Sequence, residues 1–137
     1  MQNTNSGGIA SKDELLVQEI TDSHAHAQGV LKKNMAILKT TGEISLFSAK
    51  KFKEAMIERI DNGVNVFLVD LSTTSHIDSS GLAAFISTQA RLFKESQGKI
   101  IIYSVPTHLQ KIFELTKLDK LIGITIDLDA AIDRALA

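Results

Sequence analysis

The chain has 137 residues, 44% of them hydrophobic, and a formal net charge of −1 at pH 7. This length suits one domain with a substantial core, and the near-neutral charge gives no reason to expect nucleic acid as a partner. Cysteine is absent, which excludes disulfides, thiolate catalysis and cysteine-ligated zinc, and no apolar stretch approaches the roughly 20 residues needed for membrane insertion.

The amino-terminal part predicts a lead-in followed by a hairpin. Residues 1–12 are polar and rich in Gly, Ser and Asn, so we expect a disordered lead-in, whereas residues 13–137 are expected to form a single domain. Residues 15–20 and 35–40 have strand character and can pair as a hairpin across the long polar loop 21–33.

The remainder of the chain alternates helices and strands. A helix is expected from a cap at Ser45 or Ser48 to about Asp61, where Asn62-Gly63 is a strong stop signal. Strands are then predicted over residues 64–69, 99–104 and 122–126. Helices are predicted between and after them, over residues 79–96, from residue 106 and from about residue 129. This order predicts the α/β class, with parallel pairing after the hairpin and a mixed central sheet of about five strands with about four α-helices.

The segment from His76 to Gly81 follows the third strand, where open α/β sheets place their sites. Asp78 is a good helix N-cap, and Ile77 and Leu82 would then occupy the two positions of a hydrophobic staple. Gly81 would fall in the first helical turn, where glycine costs roughly 1 kcal/mol relative to alanine. We therefore expect something to approach the backbone closely at Gly81.

The helix over residues 79–96 has two faces on a helical wheel. The larger residues are expected to face the core, namely Leu82, Phe85, Ile86, Gln89, Leu92 and Phe93. The opposite face begins with small uncharged residues that would let another protein approach, namely Ser80, Ala83, Ala84, Ser87 and Thr88. The predicted partner-binding surface accordingly comprises His76, Asp78, Ser80, Gly81, Ala83, Ala84 and Ser87.

Serines 79 and 80 in this first turn are candidate phosphorylation sites. A phosphate would add about −1.5 to −2 charges at pH 7. The positive end of the helix dipole tolerates an anion, so the fold should survive the modification. A partner packed on the small-residue face would have to desolvate the phosphate or leave, which describes a switch in binding.

Two stretches resemble a known family. Val69-Asp70-Leu71 followed by Ile77-Asp78-Ser79-Ser80-Gly81-Leu82 resembles the motif of STAS domains, and is most similar to the bacterial anti-sigma factor antagonists. The stretch from Leu109 to Lys120 also resembles the third helix of that family and the turn after it. The resemblance covers the chain from about Leu15 onward and implies a STAS-type fold.

The resemblance also implies a role in bacterial transcription regulation. An anti-sigma factor that is also a serine kinase would phosphorylate Ser79, the serine directly after the motif aspartate, with Ser80 as the alternate. The unphosphorylated protein would sequester that kinase and release the sigma factor, and a serine phosphatase would reset the cycle. ATP would belong to the kinase, so the chain itself needs no cofactor, catalyses no reaction and acts in the cytoplasm. A weak homodimer is left open.

The sequence also allows other hypotheses about function. His76, Asp78 and Ser79 suggest a hydrolase triad, but three sequence neighbours rarely converge as a triad requires. His24 and His26 could bind a metal, although no acid cluster lies near them. The chain could also be a non-switching STAS scaffold in a stress-signalling complex or a regulatory module of a membrane transporter.

One position departs from the family pattern. The family often has an aspartate at the end of its second strand, where this chain has Ser45. This difference is expected to alter docking near the switch and to leave the fold unchanged. Lys50, Lys51 and Lys53 are expected on the solvent side of the first helix.

Overall fold

A computed structural model describes residues 15–20 and 34–137, so the predicted lead-in (1–12) and the loop 21–33 with His24 and His26 lie outside the described residues. The described elements, in chain order, are β1 (Leu16–Glu19), β2 (Met35–Ile44), α1 (Ala49–Asp61), β3 (Val66–Ile77), α2 (Ser79–Ser96), β4 (Lys99–Tyr103), α3 (Thr107–Leu115), a 3₁₀ turn (Leu118–Lys120), β5 (Gly123–Thr125) and α4 (Leu128–Leu136).

The five strands of the described chain form one sheet in the order β1-β2-β3-β4-β5. β1 is antiparallel to β2, as the hairpin predicted, and the other three pairings are parallel. Parallel neighbours need crossover connections, and α1, α2 and α3 supply them. Together with four α-helices in the described residues, this confirms the predicted α/β class and mixed sheet.

The core lies on both faces of the sheet. On one face, α1, α2 and α3 bury three phenylalanines in contact: the ring centroids of Phe52 and Phe85 are 4.8 Å apart, and those of Phe85 and Phe113 are 5.6 Å apart. On the other face, α4 packs Ala131, Ile132 and Ala135 against the strands. Contacts between aromatic rings therefore connect all three crossover helices, with Phe85 of α2 in the middle.

β2 and β3 are longer than their apolar runs predict. β3 continues through the polar residues after Val69 and ends at Ile77, which pairs with Ile44 at the end of β2. Threonine side chains join the two strands here: the Thr41 and Thr73 hydroxyls are 2.9 Å apart, and those of buried Thr40 and Thr74 also hydrogen-bond. The extension brings the β2–α1 and β3–α2 connections side by side.

Helix boundaries follow their predicted signals with small shifts. Asn62 is the C-cap of α1 and Gly63 has a φ of 97°, the left-handed conformation that glycine adopts readily. Asp127 caps α4, where its side chain accepts a hydrogen bond from the Ala130 N–H at 2.9 Å. Within residues 15–20 and 34–137, none of the helices combines the length and apolar character required to cross a membrane.

Candidate functional site

The carboxylate of Asp78 holds the first turn of α2 and the neighbouring loop together. Its Oδ1 accepts hydrogen bonds from the N–H groups of Ser80 at 2.9 Å and Gly81 at 3.1 Å, which confirms Asp78 as the N-cap. Its Oδ2 accepts a third hydrogen bond from the N–H of Leu46 at 3.0 Å, in the β2–α1 loop. One side chain therefore fixes two connections at the same end of the sheet.

This environment favours the charged form of Asp78. Desolvation by the surrounding protein raises the pKa of the carboxyl, but the N–H groups of Gly81, Leu46 and Ser80, with His76 nearby, together hold the pKa below its model-compound value of 3.8. Hydrogen bonds donated to a carboxylate stabilise its ionised form. Asp78 is thus a fixed negative charge next to Ser79 at neutral pH.

Gly81 brings α2 into close contact with the ends of β2 and β3. A Cβ atom at Gly81 would lie 2.3 Å from the carbonyl oxygen of Ile44 and 2.7 Å from Cγ2 of Ile77. The Asp78 N–H also donates to the Ile44 carbonyl at 3.2 Å. The close approach expected at Gly81 is therefore made by the end of β2, not by an external ligand.

The two serines of the first turn differ in exposure. Ser79 is exposed, whereas Ser80 is half-buried. Beside them, Leu46 and Phe47 in the β2–α1 loop leave 69% and 82% of their surface exposed. We call Leu46, Phe47, Ser79 and Ala83 the switch face. Exposed apolar patches rimmed by polar residues are typical of protein-binding surfaces.

Comparison with known proteins places this arrangement in a family. The profile of the STAS domain matches residues 27–133. The anti-sigma-B factor antagonist of Listeria monocytogenes is 32% identical over 84 residues, covering 61% of this chain and 72% of its own. The chain belongs to the STAS domain family of anti-sigma factor antagonists. This confirms the resemblance seen in the Asp78-Ser79-Ser80-Gly81 segment.

Solved STAS-type structures share the fold. The anti-sigma factor antagonist of Mycobacterium paratuberculosis superposes with a TM-score of 0.73 at 19% identity, covering 94% of this chain and all of that one (100%). The Bacillus cell fate determinant SpoIIAA, solved in its phosphorylated form, gives a TM-score of 0.60 at 17% identity, covering 87% of this chain and 98% of its own.

The helical wheel oriented the STAS domain's α2 incorrectly. Ile86 and Phe93, predicted to face the core, are 43% and 63% exposed, whereas Ala84 and Thr88, predicted to face outward, are buried at 5% and 1%. The prediction failed because the buried face of α2 includes small and polar residues. The buried residues are Gly81, Ala84, Phe85, Thr88, Gln89 and Leu92.

Contacts at both ends fix this rotation. Near the amino terminus, Gly81 must face β2, as described above. Further along, the Gln89 side-chain amide donates to the Gly98 carbonyl at 3.3 Å, and its Oε1 accepts from the Ile100 N–H at 2.8 Å. The wheel placed Gln89 correctly on the core face, but a wheel weighted by hydrophobicity gives no weight to a glycine, and the close contact at Gly81 sets the rotation of the first turn.

The predicted partner-binding residues divide by exposure. His76 and Ala83 are exposed, Asp78, Ser80 and Ser87 are half-buried, and Gly81 and Ala84 are buried. Several of them lie in one open groove between α1 and α2, with a volume of about 360 Å³, which we call the α1/α2 groove. It is lined by Ala49, Lys50, Lys53, Ser80, Ala83, Ala84 and Ser87.

Sequence reasoning missed the contribution of the β2–α1 loop and of α1. Leu46 and Phe47 are exposed, as stated above, and the available signal was an apolar pair inside a Ser-rich turn. Ser48 occupies the N-cap position of α1 without a side-chain cap bond. Instead its hydroxyl donates to the Glu43 carbonyl at 2.5 Å and accepts from the N–H of buried Ser45 at 2.9 Å. The predicted N-cap position is therefore confirmed at Ser48, although its side chain bonds to the preceding segment and not to the first turn of α1.

The site geometry is that of a capped helix. The hydrogen bonds that reach Asp78 come from backbone N–H groups, whereas a catalytic triad needs a carboxylate that orients a histidine. In the described part of the chain, no group of three or more His, Asp or Glu residues is arranged to hold a metal ion. The arrangement supports a binding surface.

Replacing Asp78 with alanine should lower the free energy of unfolding by about 1–2 kcal/mol, because a helix cap is lost together with the tie to Leu46. Asp127→Ala is the matched control, since Asp127 caps α4 through the Ala130 N–H alone. Urea unfolding followed by circular dichroism measures both. Equal costs for the two variants would contradict a special role of the Asp78–Leu46 bond.

The pH dependence of Asp78→Asn isolates the charge, because asparagine also caps helices. The pKa of Asp78 in the folded protein lies below the ordinary aspartate value of 3.8, so the ionised carboxyl stabilises the fold above that pH. The stability advantage of the wild type over Asp78→Asn should be constant from neutral pH down to about 5 and shrink as the pH falls below about 4. An advantage that does not change with pH would contradict this.

Proposed function

We propose that the chain is an anti-sigma factor antagonist switched by phosphorylation at Ser79. In its unphosphorylated form it binds an anti-sigma factor that is a serine kinase, and thereby releases the sigma factor. Phosphorylation of Ser79 by that kinase ends binding, and a serine phosphatase restores it. The protein is a binding protein of the bacterial cytoplasm in this scheme, and the kinase supplies the ATP.

The observation that carries the proposal is the exposed Ser79 directly after the capping Asp78, within the switch face. A kinase must reach the hydroxyl of its substrate, and the exposed Ser79 meets that requirement better than the half-buried Ser80. The position also suits a phosphate, because the N-terminal end of an 18-residue helix favours negative charge. Modification at this point changes the surface while the core stays packed.

The loss of binding follows from the neighbours of Ser79. A partner covering the switch face must dehydrate exposed Leu46 and Phe47, which favours association. Once Ser79 is phosphorylated, the partner must also dehydrate the phosphate, which lies next to the negative charge of Asp78. Burying an unpaired charge is strongly unfavourable. SpoIIAA, which shares the fold, has been solved in a phosphorylated form, and this supports phosphorylation as a modification that the fold accepts.

Phosphosite mapping tests the proposal. The purified chain is incubated with ATP and the anti-sigma factor kinase of the same organism, and the modification is mapped by mass spectrometry. We expect one phosphate on Ser79, none on Ser79→Ala, and full phosphorylation of the matched Ser80→Ala variant. Phosphate on Ser80 would contradict the assignment of the serine, and no phosphate at all would favour the non-switching scaffold or transporter module.

A further inference from the structure

Two lysines border the α1/α2 groove at its end nearest the switch face. Lys50 and Lys53 lie three residues apart on α1, so their side chains share one helix face. Both are exposed, and within residues 15–20 and 34–137 no carboxylate lies within 4.0 Å of either ammonium group. Among the residues that the structure describes, these two ammonium groups border the groove without a carboxylate partner.

The far end of the same helix pair is different. Arg91 on α2 pairs with Asp61 on α1 at 2.8 Å and with Glu95 at 2.7 Å. Arg59 on α1 pairs with Glu19 on β1 at 2.8 Å. The arginines of α1 and α2 thus pair with carboxylates away from Ser79, whereas the two lysines lining the groove have no carboxylate partner within the described residues.

The shape of the groove suits a protein segment. Its walls between the lysines and α2 are small side chains, including Ala49, Ala83 and Ala84, which allow a backbone to approach closely. The contact between Phe52 and Phe85 at 4.8 Å joins α1 and α2 below it, so the walls are held apart at a fixed spacing. The half-buried hydroxyls of Ser80 and Ser87 add hydrogen-bonding groups along the α2 side.

The groove is continuous with the switch face. Ala83 belongs to both surfaces, and Ser80 lines the groove immediately after Ser79 in the chain. A segment lying in the groove therefore passes next to Ser79. Resting on the proposed function, we propose that the groove receives an acidic segment of the anti-sigma factor, whose Asp or Glu side chains pair with Lys50 and Lys53.

This pairing gives phosphorylation a second effect. A phosphate on Ser79 adds about −1.5 to −2 charges at pH 7. It would stand beside the path of an acidic segment and repel it, in addition to the desolvation described above. An acidic occupant therefore makes the switch more sensitive to the phosphate than a neutral occupant would be.

The test is the double charge reversal Lys50→Glu/Lys53→Glu, with Lys111→Glu/Lys120→Glu as the control of equal net charge on exposed positions outside the groove. Binding of each purified, unphosphorylated protein to the anti-sigma factor is measured by surface plasmon resonance at low and high salt. We expect the groove variant to bind about tenfold or more weakly at low salt, mainly through slower association, and the control to change less than about threefold.

The outcomes separate this inference from the proposed function. If the wild type binds and the groove variant binds equally well, the groove inference is overturned and the proposed function stands. If the wild type does not bind the anti-sigma factor, the proposed function fails and the inference fails with it. Circular dichroism spectra and melting curves of the variants should match those of the wild type. The milder double variant Lys50→Gln/Lys53→Gln should lose less affinity than Lys50→Glu/Lys53→Glu.

Discussion

Replacing Ser79 with aspartate should weaken binding of the anti-sigma factor by about 100-fold or more and leave the fold intact. The new carboxylate would stand next to the fixed charge of Asp78, where a docked partner must desolvate it, and burying an unpaired charge at an interface costs several kcal/mol. Stability should be unchanged or slightly higher, because an acidic residue in the first turn of α2 interacts favourably with the helix dipole. Titration calorimetry with the unphosphorylated proteins gives the affinity.

Ser79→Asn is the matched control for size, since it differs from Ser79→Asp only in charge. We expect Ser79→Asn to keep its affinity within a few-fold, because the exposed hydroxyl is replaced by a neutral amide that introduces no charge for the partner to desolvate. Equal losses in the two variants would show that shape at Ser79 matters and that charge does not. Full affinity in Ser79→Asp would contradict electrostatic gating at this serine.

Replacing Gly81 with alanine should lower the free energy of unfolding by about 2–3 kcal/mol. Helix propensity alone favours alanine by about 1 kcal/mol, but the added Cβ would lie 2.3 Å from the Ile44 carbonyl oxygen. Both elements are backbone held by hydrogen bonds, so the helix or the end of β2 must move, and overpacking of this kind is destabilising by up to a few kcal/mol. Urea unfolding measures the change.

Ser80→Ala serves as the control in the same helical turn, and its stability should stay within about 0.5 kcal/mol of the wild type. Helix propensity predicts that Gly81→Ala raises the free energy of unfolding, whereas the close contact with β2 predicts that it lowers it. The sign of the measured change therefore distinguishes the two effects. A more stable Gly81→Ala protein would mean that α2 does not approach β2 as closely as described.

Local patterns predicted most of the secondary structure of the described chain. The hairpin, the three crossover helices and the capped start of α2 followed from alternation, stop signals and the Asp78 position. The length of β3 did not follow from any local pattern. Its second half, from Leu71 to His76, is rich in Ser and Thr and is typical of a loop. It extends as a strand because Thr73 and Thr74 find hydroxyl partners on β2, a long-range pairing that no local pattern contains.

The predicted helix cap at Asp78 is confirmed, whereas the predicted outward face of α2 was partly wrong. The segment around Asp78 was identified by capping and resemblance, but the outward face of α2 depends on its rotation. Close packing at Gly81 and the polar contacts of Gln89 set that rotation, so Ile86 and Phe93 face solvent. The loop residues Leu46 and Phe47 join the site through the sheet register, which pairs Ile44 with Ile77.

The fixed position of α2 has a consequence for the speed of signalling. Gly81 at one end and Gln89 further along hold the helix against the sheet, so adding a phosphate to Ser79 requires no helix movement. Conformational switches wait for a rearrangement, which takes roughly microseconds to seconds. A surface that changes only its charge has no such delay. The response time of the proposed circuit is then set by turnover of the kinase and the phosphatase and by dissociation of the complex.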